Sequence, residues 1–146
     1  VSRSWLPAEV LPHRAPLLLL SRVLDCDATS LVGEVDVGED CVLAEPGVGV
    51  PRWAAIEFMA QAVGAFDGVR LRQAELPVPP GYLLGTRQID DVDGHFRFGT
   101  TLRISVQQVL NDDSGLGVFA CRLVDGERSL SCQLTVYRPP ARTPAT

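Results

Sequence analysis

The chain contains no lysine; all thirteen of its basic residues are arginine. Schiff-base chemistry, pyridoxal attachment and a Walker-type phosphate loop all require a lysine amine, and each is excluded. Arginine can still clamp phosphate through its planar fork. Arg70, Arg72, Arg87 and Arg97 are therefore candidates for holding a phosphopantetheine arm, although solvated surface charge is the plainer reading of each. Histidine is scarce, with only His13 and His95. Four cysteines, at 26, 41, 121 and 132, form no Cys-x-x-Cys pattern. No metal site is expected from them, and Cys121 and Cys132 read as apolar core positions holding free thiols. No apolar run approaches the ~18 residues that a membrane span needs. The first residues show no charged, apolar and small-residue order of the secretory kind, so a cytoplasmic address is expected. Gly47-Val48-Gly49 lacks the third glycine of a dinucleotide loop, and no cofactor is expected. A net charge of −5 argues against nucleic acid, whose binding rests on phosphate neutralisation.

What is present suits a single globular domain. Of the 146 residues, 46% are hydrophobic and 21% charged. The expected domain runs over residues 1–138, with a flexible C-terminal tail at 139–146. After a proline-rich lead-in with one short helical turn, Leu17 to Asp25 and Leu31 to Val37 read as strands. A glycine-rich loop follows from Glu45 to Pro51. From Arg52 to about Glu75 proline is absent, and the residues up to Phe66 leave almost no polar stripe, so a helix buried on every side is expected. Pro77, Pro79 and Pro80 end it. Gly81 to Ile89 and Thr101 to Leu110 read as strands, with a break in alternation at Gln107-Gln108 that suggests a bulge. Gly117 to Val124 and Glu127 to Tyr137 flank Asp125-Gly126, a two-residue hairpin signal. Strand, strand, buried helix and four strands make an α+β domain. In it a curved antiparallel sheet wraps around one long central helix, and a second subunit is available to cover what the sheet leaves open.

Within the apolar helix, Glu57 is the only ionisable group between Trp53 and Phe66. A carboxylate in such surroundings has a raised pKa unless it is paired, because desolvation disfavours the charged form. That is how a general acid or base is tuned towards neutral pH. The structural alternative is a hidden ion pair, perhaps across a subunit interface. Gln61, one turn on, shares its face and reads as a positioning residue for Glu57 or the substrate. Free N–H groups around Arg52 and Trp53 point out of the helix start, where a thioester carbonyl would be polarised.

These motifs resemble a known family. Leu11-Pro12-His13-Arg14-Ala15-Pro16-Leu17-Leu18-Leu19 is similar to the LPHRxPFLL opening of the 3-hydroxyacyl-acyl carrier protein dehydratases, which have the hotdog fold. Pro51 through Gln61 is similar to their helix motif PGxxxxEAxAQ. Closer still are the divergent dehydratase-like proteins of aryl polyene gene clusters, on the stretches LPHRAPLLLLSRV, IEFMAQA and LLGTR and the turn at Gly115-Leu116-Gly117. The resemblance implies catalysis by Glu57, as the acid that helps the 3-hydroxyl leave, with Gln61 beside it. It implies substrate binding by Arg52, whose N–H takes the place that meets the thioester carbonyl, with Trp53 and His13 near the site. The family's base, a histidine in an HFPGxP loop, has no counterpart in Cys41 to Gly47.

A hydro-lyase is therefore expected that acts on an acyl thioester, on acyl carrier protein or coenzyme A. Its site is expected at the interface of a homodimer or of a heterodimer with another hotdog subunit, which would bring the missing histidine. The alternatives are a hotdog thioesterase using Glu57 alone, and a non-catalytic acyl-binding subunit.

Overall fold

The proline-free stretch after Pro51 forms the central rod of the molecule. In the computed structural model, which describes residues 4–87 and 89–139, a single 3-10 turn at Arg52–Ala54 leads into α2, Ala55–Gln73. A four-residue helix, α1 (Pro7–Val10), precedes it in the lead-in. The strands are β1 (Arg22–Cys26), β2 (Ser30–Asp36), β3 (Val50–Pro51), β4 (Tyr82–Arg87), β5 (His95–Phe96), β6 (Thr101–Asn111), β7 (Leu116–Asp125) and β8 (Arg128–Tyr137). Six of them make one antiparallel sheet in the order β1-β2-β6-β7-β8-β4, while β3 and β5 pair separately beside the helix start. This is the hotdog architecture.

Alternation in the strands sets which face meets the rod. Leu102, Ile104 and Val106 of β6, Phe119, Cys121 and Leu123 of β7, and Leu130, Cys132 and Leu134 of β8 are all buried. Polar neighbours alternate with them towards water, as in a sheet solvated on one face. Against them lie Ala55, Phe58, Met59, Ala62 and Phe66 of α2. Phe66 meets Phe119 edge-on with ring centroids 5.6 Å apart. Cys121 and Cys132 are direct cross-strand partners, and the Cys132 thiol lies 3.8 Å from the Met59 sulfur.

Boundaries moved in three places. The first strand begins at Arg22 rather than Leu17, because residues 17–20 are held by the helix through side-chain bonds instead of by a strand. The β7–β8 hairpin closes one residue later than its Asp-Gly signal suggests. Asp125 pairs with Arg128, leaving Gly126 and Glu127 as the loop, and Gly126 takes the positive φ of 62°. The bulge expected near Gln107-Gln108 lies between Gln108 and Leu110. Of the expected tail, residues 140–146 lie outside the described residues.

One stripe of the helix is left uncovered by its own sheet. Trp53, Glu57, Ala60, Gly64, Asp67 and Leu71 recur at steps of three and four, the spacing of a single helical face. Trp53 is 53% exposed, and Glu57 is also exposed. The rod is therefore not buried on every side within one chain, contrary to the expectation from composition. Along this stripe runs an open groove.

Candidate active site

A groove of about 1090 Å³ follows the uncovered helix face. Glu57, Gln61 and Asp67 line it from α2, His13 from the lead-in, and Tyr82 and Leu83 from β4. Glu57 sits exposed on this face, so the desolvation expected of it is not supplied by the single chain.

Gln61 is 2% exposed. Its oxygen accepts the backbone N–H of Leu19 at 2.8 Å and of Leu20 at 3.1 Å, and its amide nitrogen donates to the Leu17 carbonyl at 2.8 Å. Its oxygen is thus committed to the lead-in rather than to Glu57, which corrects its expected part as a positioner of that carboxylate. It anchors the segment that carries His13. His13 is half-buried against the groove, and its Nδ1 is buried without a protein partner among the described residues.

Arg52 departs most from expectation. Its backbone N–H donates to the Gly94 carbonyl at 3.0 Å and is not free for a substrate carbonyl. Its side chain is 1% exposed. The guanidinium donates to the Asp91 carbonyl at 2.8 Å and to the Asp91 carboxylate at 3.1 Å, lies 3.7 Å from Asp125, and covers the Phe96 ring at 4.9 Å. It is a buried clamp between the helix start and the 91–96 loop. Asp91, held also by Arg128 at 2.8 Å, has its carboxyl kept well below the usual range, first by that bond. Trp53 is not part of the groove wall and faces outward.

The second histidine of the sequence is His95. It lies on β5, paired with Pro51 at the start of the helix, and its Nε2 donates to Glu45 at 2.8 Å. It does not line the groove.

Sequence reasoning missed Asp67. Its side chain is buried in the groove wall and meets the guanidinium of Arg138. Burial pushes its carboxyl up to about 6, although the Arg138 and Arg70 charges pull the other way. The uncovered stripe, continued one step past Gly64, reaches this residue, so a signal for it was present. Arg138, the last residue of the expected domain, is fixed by its N–H donating to the Gly115 carbonyl at 2.9 Å and by its side chain donating to Asn111 at 2.7 Å. Arg70 also borders the groove, with its guanidinium 5.6 Å from the Phe66 ring centroid.

Comparison with known proteins places this geometry. The sequence model of the ApeP-like family, described as ApeP dehydratase, matches residues 5–145. No curated protein matches the chain. Among solved structures, the dehydratase heterocomplex ApeI:P from Xenorhabdus doucetiae superposes with a TM-score of 0.84 at 29% identity, covering 94% of this chain and 93% of that one. A mutant thioesterase from Pseudomonas aeruginosa gives 0.53 at 15% identity, over 80% of this chain and 78% of its own. A hypothetical thioesterase with coenzyme A from Streptococcus pneumoniae gives 0.58 at 14%, over 80% and 86%. The last two show a shared fold and nothing further.

Proposed function

The chain belongs to the ApeP-like dehydratase family, and on that premise we propose that it is one subunit of a two-subunit 3-hydroxyacyl-thioester dehydratase of aryl polyene synthesis. The observation that carries this reading is Glu57, held on a rigid helix in a groove large enough for an acyl chain, with no histidine of the preceding loop beside it.

Dehydration removes a proton from C2 and the hydroxyl from C3. As the C2–H bond breaks, its electron pair forms the C2–C3 double bond, the C3–O bond breaks, and a proton joins the departing oxygen to give water. Glu57 supplies that last proton. The base is a histidine of a partner hotdog subunit, which also covers Glu57 and gives it the desolvation that one chain lacks. His13 borders the thioester end and offers an unspent ring nitrogen to the acyl or pantetheine portion. Gln61 acts at one remove, by fixing the segment that holds His13. The natural carrier in this reading is acyl carrier protein.

The sheet edges support one place for the partner. At one edge, β1 presents Arg22 and Asp25 around a single exposed apolar residue, Leu24. At the other, β4 exposes Tyr82 by 52%, Leu83 by 43% and Leu84 by 59%. An unpaired, apolar edge is a template for another strand, whereas charge protects an edge from one. The partner pairs along β4, beside the groove that Tyr82 and Leu83 help to line. The uncovered Trp53 then packs against it.

The test is reconstitution of the full chain with a histidine-bearing hotdog partner on a 3-hydroxyacyl-carrier thioester. Enoyl product is expected from the mixture and not from this chain alone. Glu57→Gln is expected to lower the rate by about a hundredfold or more. Dehydration untouched by Glu57→Gln would make this chain a scaffold, and release of free thiol instead of enoyl product would make it a thioesterase.

A further inference from the structure

Two sets of contacts fasten the lead-in to α2. On one side Leu11 is buried against Gly64, where an added Cβ would lie 3.0 Å from its methyl. On the other, Gln61 holds the backbone of Leu17, Leu19 and Leu20. Residues 12–16 arch between these anchors, and the arch brings Pro12 and His13 to the groove wall. Arg14 does not line the groove. Its guanidinium turns back along the chain instead. One nitrogen, Nη1, donates to the Leu11 carbonyl at 2.9 Å and to the His13 carbonyl at 2.7 Å. The Arg14 carbonyl in turn accepts the Leu17 N–H at 2.8 Å.

Arg14 is exposed, and an exposed arginine gives up rotamer freedom when it is held in one place. In exchange it makes two charge-assisted bonds, which fold residues 11–14 into one tight bend. The two carbonyls lie on either side of the His13 backbone. A side chain's direction is limited by the backbone that carries it, so fixing both sides fixes where the ring can point. Among the described residues no other side chain bonds this arch.

We infer that Arg14 is a positioning residue, which sets the His13 ring against the groove by bracing the arch that carries it. The inference rests on the acyl-thioester reading of the groove, in which His13 meets the acyl or pantetheine portion. It adds a residue that touches no substrate and acts through His13 alone. If Arg14 only steadied the lead-in, its loss would lower stability without any link to His13. If it clamped phosphate, its loss would tell only on a phosphorylated arm.

Two measurements on the full chain test this. The first reads position directly, from the NMR signals of the two histidine rings in the sequence. Arg14→Met keeps the length and loses the donors. In it the His13 signal is expected to move and broaden while that of His95 stays. Arg14→Lys keeps a cationic donor and should return the His13 signal near its original place. The second measurement is binding of an unreactive dodecyl thioether of pantetheine, without and with the phosphate. Arg14→Met and His13→Ala are each expected to weaken both probes about tenfold, and the double variant no more than either alone. Thermal midpoints should stay within about 4 °C of the unaltered chain. Losses that multiply in the double variant would overturn the inference, as would a His13 signal that Arg14→Met leaves unmoved. A loss in Arg14→Met that His13→Ala does not share, or one confined to the phosphorylated probe, would overturn it too. Failure of the groove reading looks different. A displaced His13 signal in a chain that binds neither probe keeps the brace and removes the acyl thioester.

Discussion

The side-chain oxygen of Gln61 accepts the backbone N–H of Leu19 at 2.8 Å, across 42 positions of sequence. With the bonds to Leu20 and Leu17 it replaces the ladder that a strand would have given this segment. Gln61→Ala leaves two N–H groups and a carbonyl without partners in a largely dry place. The expected loss is about 2–4 kcal/mol, measured by urea unfolding. Activity of the reconstituted enzyme should fall with it, because the segment carrying His13 loosens. A change below about 0.5 kcal/mol would show that the lead-in does not depend on this clamp.

Arg52 occupies the position at which the resemblance implies a glycine, so restoring glycine there tests which logic governs the site. The guanidinium is buried among Asp91, Asp125 and the Phe96 ring. Removing it leaves acidic groups facing an emptied space and frees the 91–96 loop. Arg52→Gly is expected to destabilise the chain by about 3–5 kcal/mol, the scale for breaking one side of a buried pair. A neutral or stabilising result in thermal unfolding would mean that the arginine is dispensable and that the backbone N–H alone matters.

How far the sequence discloses this molecule depends on the range of each interaction. The rod, the order of the strands and the β6 bulge follow from periodicity and proline placement, which act over a few residues. Glu57 was legible because a lone charge in an apolar helix is itself a local anomaly. The Arg52 clamp was not, since its partners lie 39 and 73 positions away and nothing near Arg52 announces them. Asp67 falls between these cases. Its helix face is readable, but its partner Arg138 lies 71 positions away. Gln61 shows the same limit, because a helical neighbour at the right spacing was the only partner that local reasoning could offer it.

Assembly along β4 makes a prediction of its own. Leu84 is 59% exposed at the sheet edge and points to no partner within the chain's core. Leu84→Glu should leave the thermal midpoint of the isolated chain nearly unchanged, because surface substitutions usually fall within about 0.5 kcal/mol. It should also abolish co-elution with the hotdog partner on size exclusion. Co-elution that survives the substitution would move the interface away from this edge.

Gly68 is required by close packing rather than by backbone freedom. A Cβ placed there would lie 1.8 Å from the Val10 carbonyl oxygen and 2.9 Å from the Val10 Cα. Alanine is ordinarily the better helix former by about 1 kcal/mol, so propensity alone predicts that Gly68→Ala stabilises. The clash with backbone should win, giving a net loss of about 2 kcal/mol or more as α1 is pushed off the helix. Gly64→Ala provides the control, since its added Cβ meets only the flexible Leu11 methyl, at 3.0 Å. Equal effects at the two positions would contradict this account of the α1 contact.

Asp67 should leave a signature in the pH dependence of stability. Its carboxyl titrates near 6 in the folded chain against 3.8 for the free group, so between those values the native state holds a proton that the unfolded state has released. Stability from this residue is therefore full below about pH 4 and is lost as the pH rises through about 6. Asp67→Asn has the same shape and cannot ionise. Relative to the unaltered chain it should gain about 3 kcal/mol between about pH 4 and about pH 8, measured by urea unfolding at each. Asp36 and Asp91, whose carboxyls are held low by arginine bonds, oppose this trend in both proteins. Their contribution cancels in the difference, as expected for sites that share no partner with Asp67. A difference that stays flat across that range would mean that Arg138 keeps Asp67 ionised throughout.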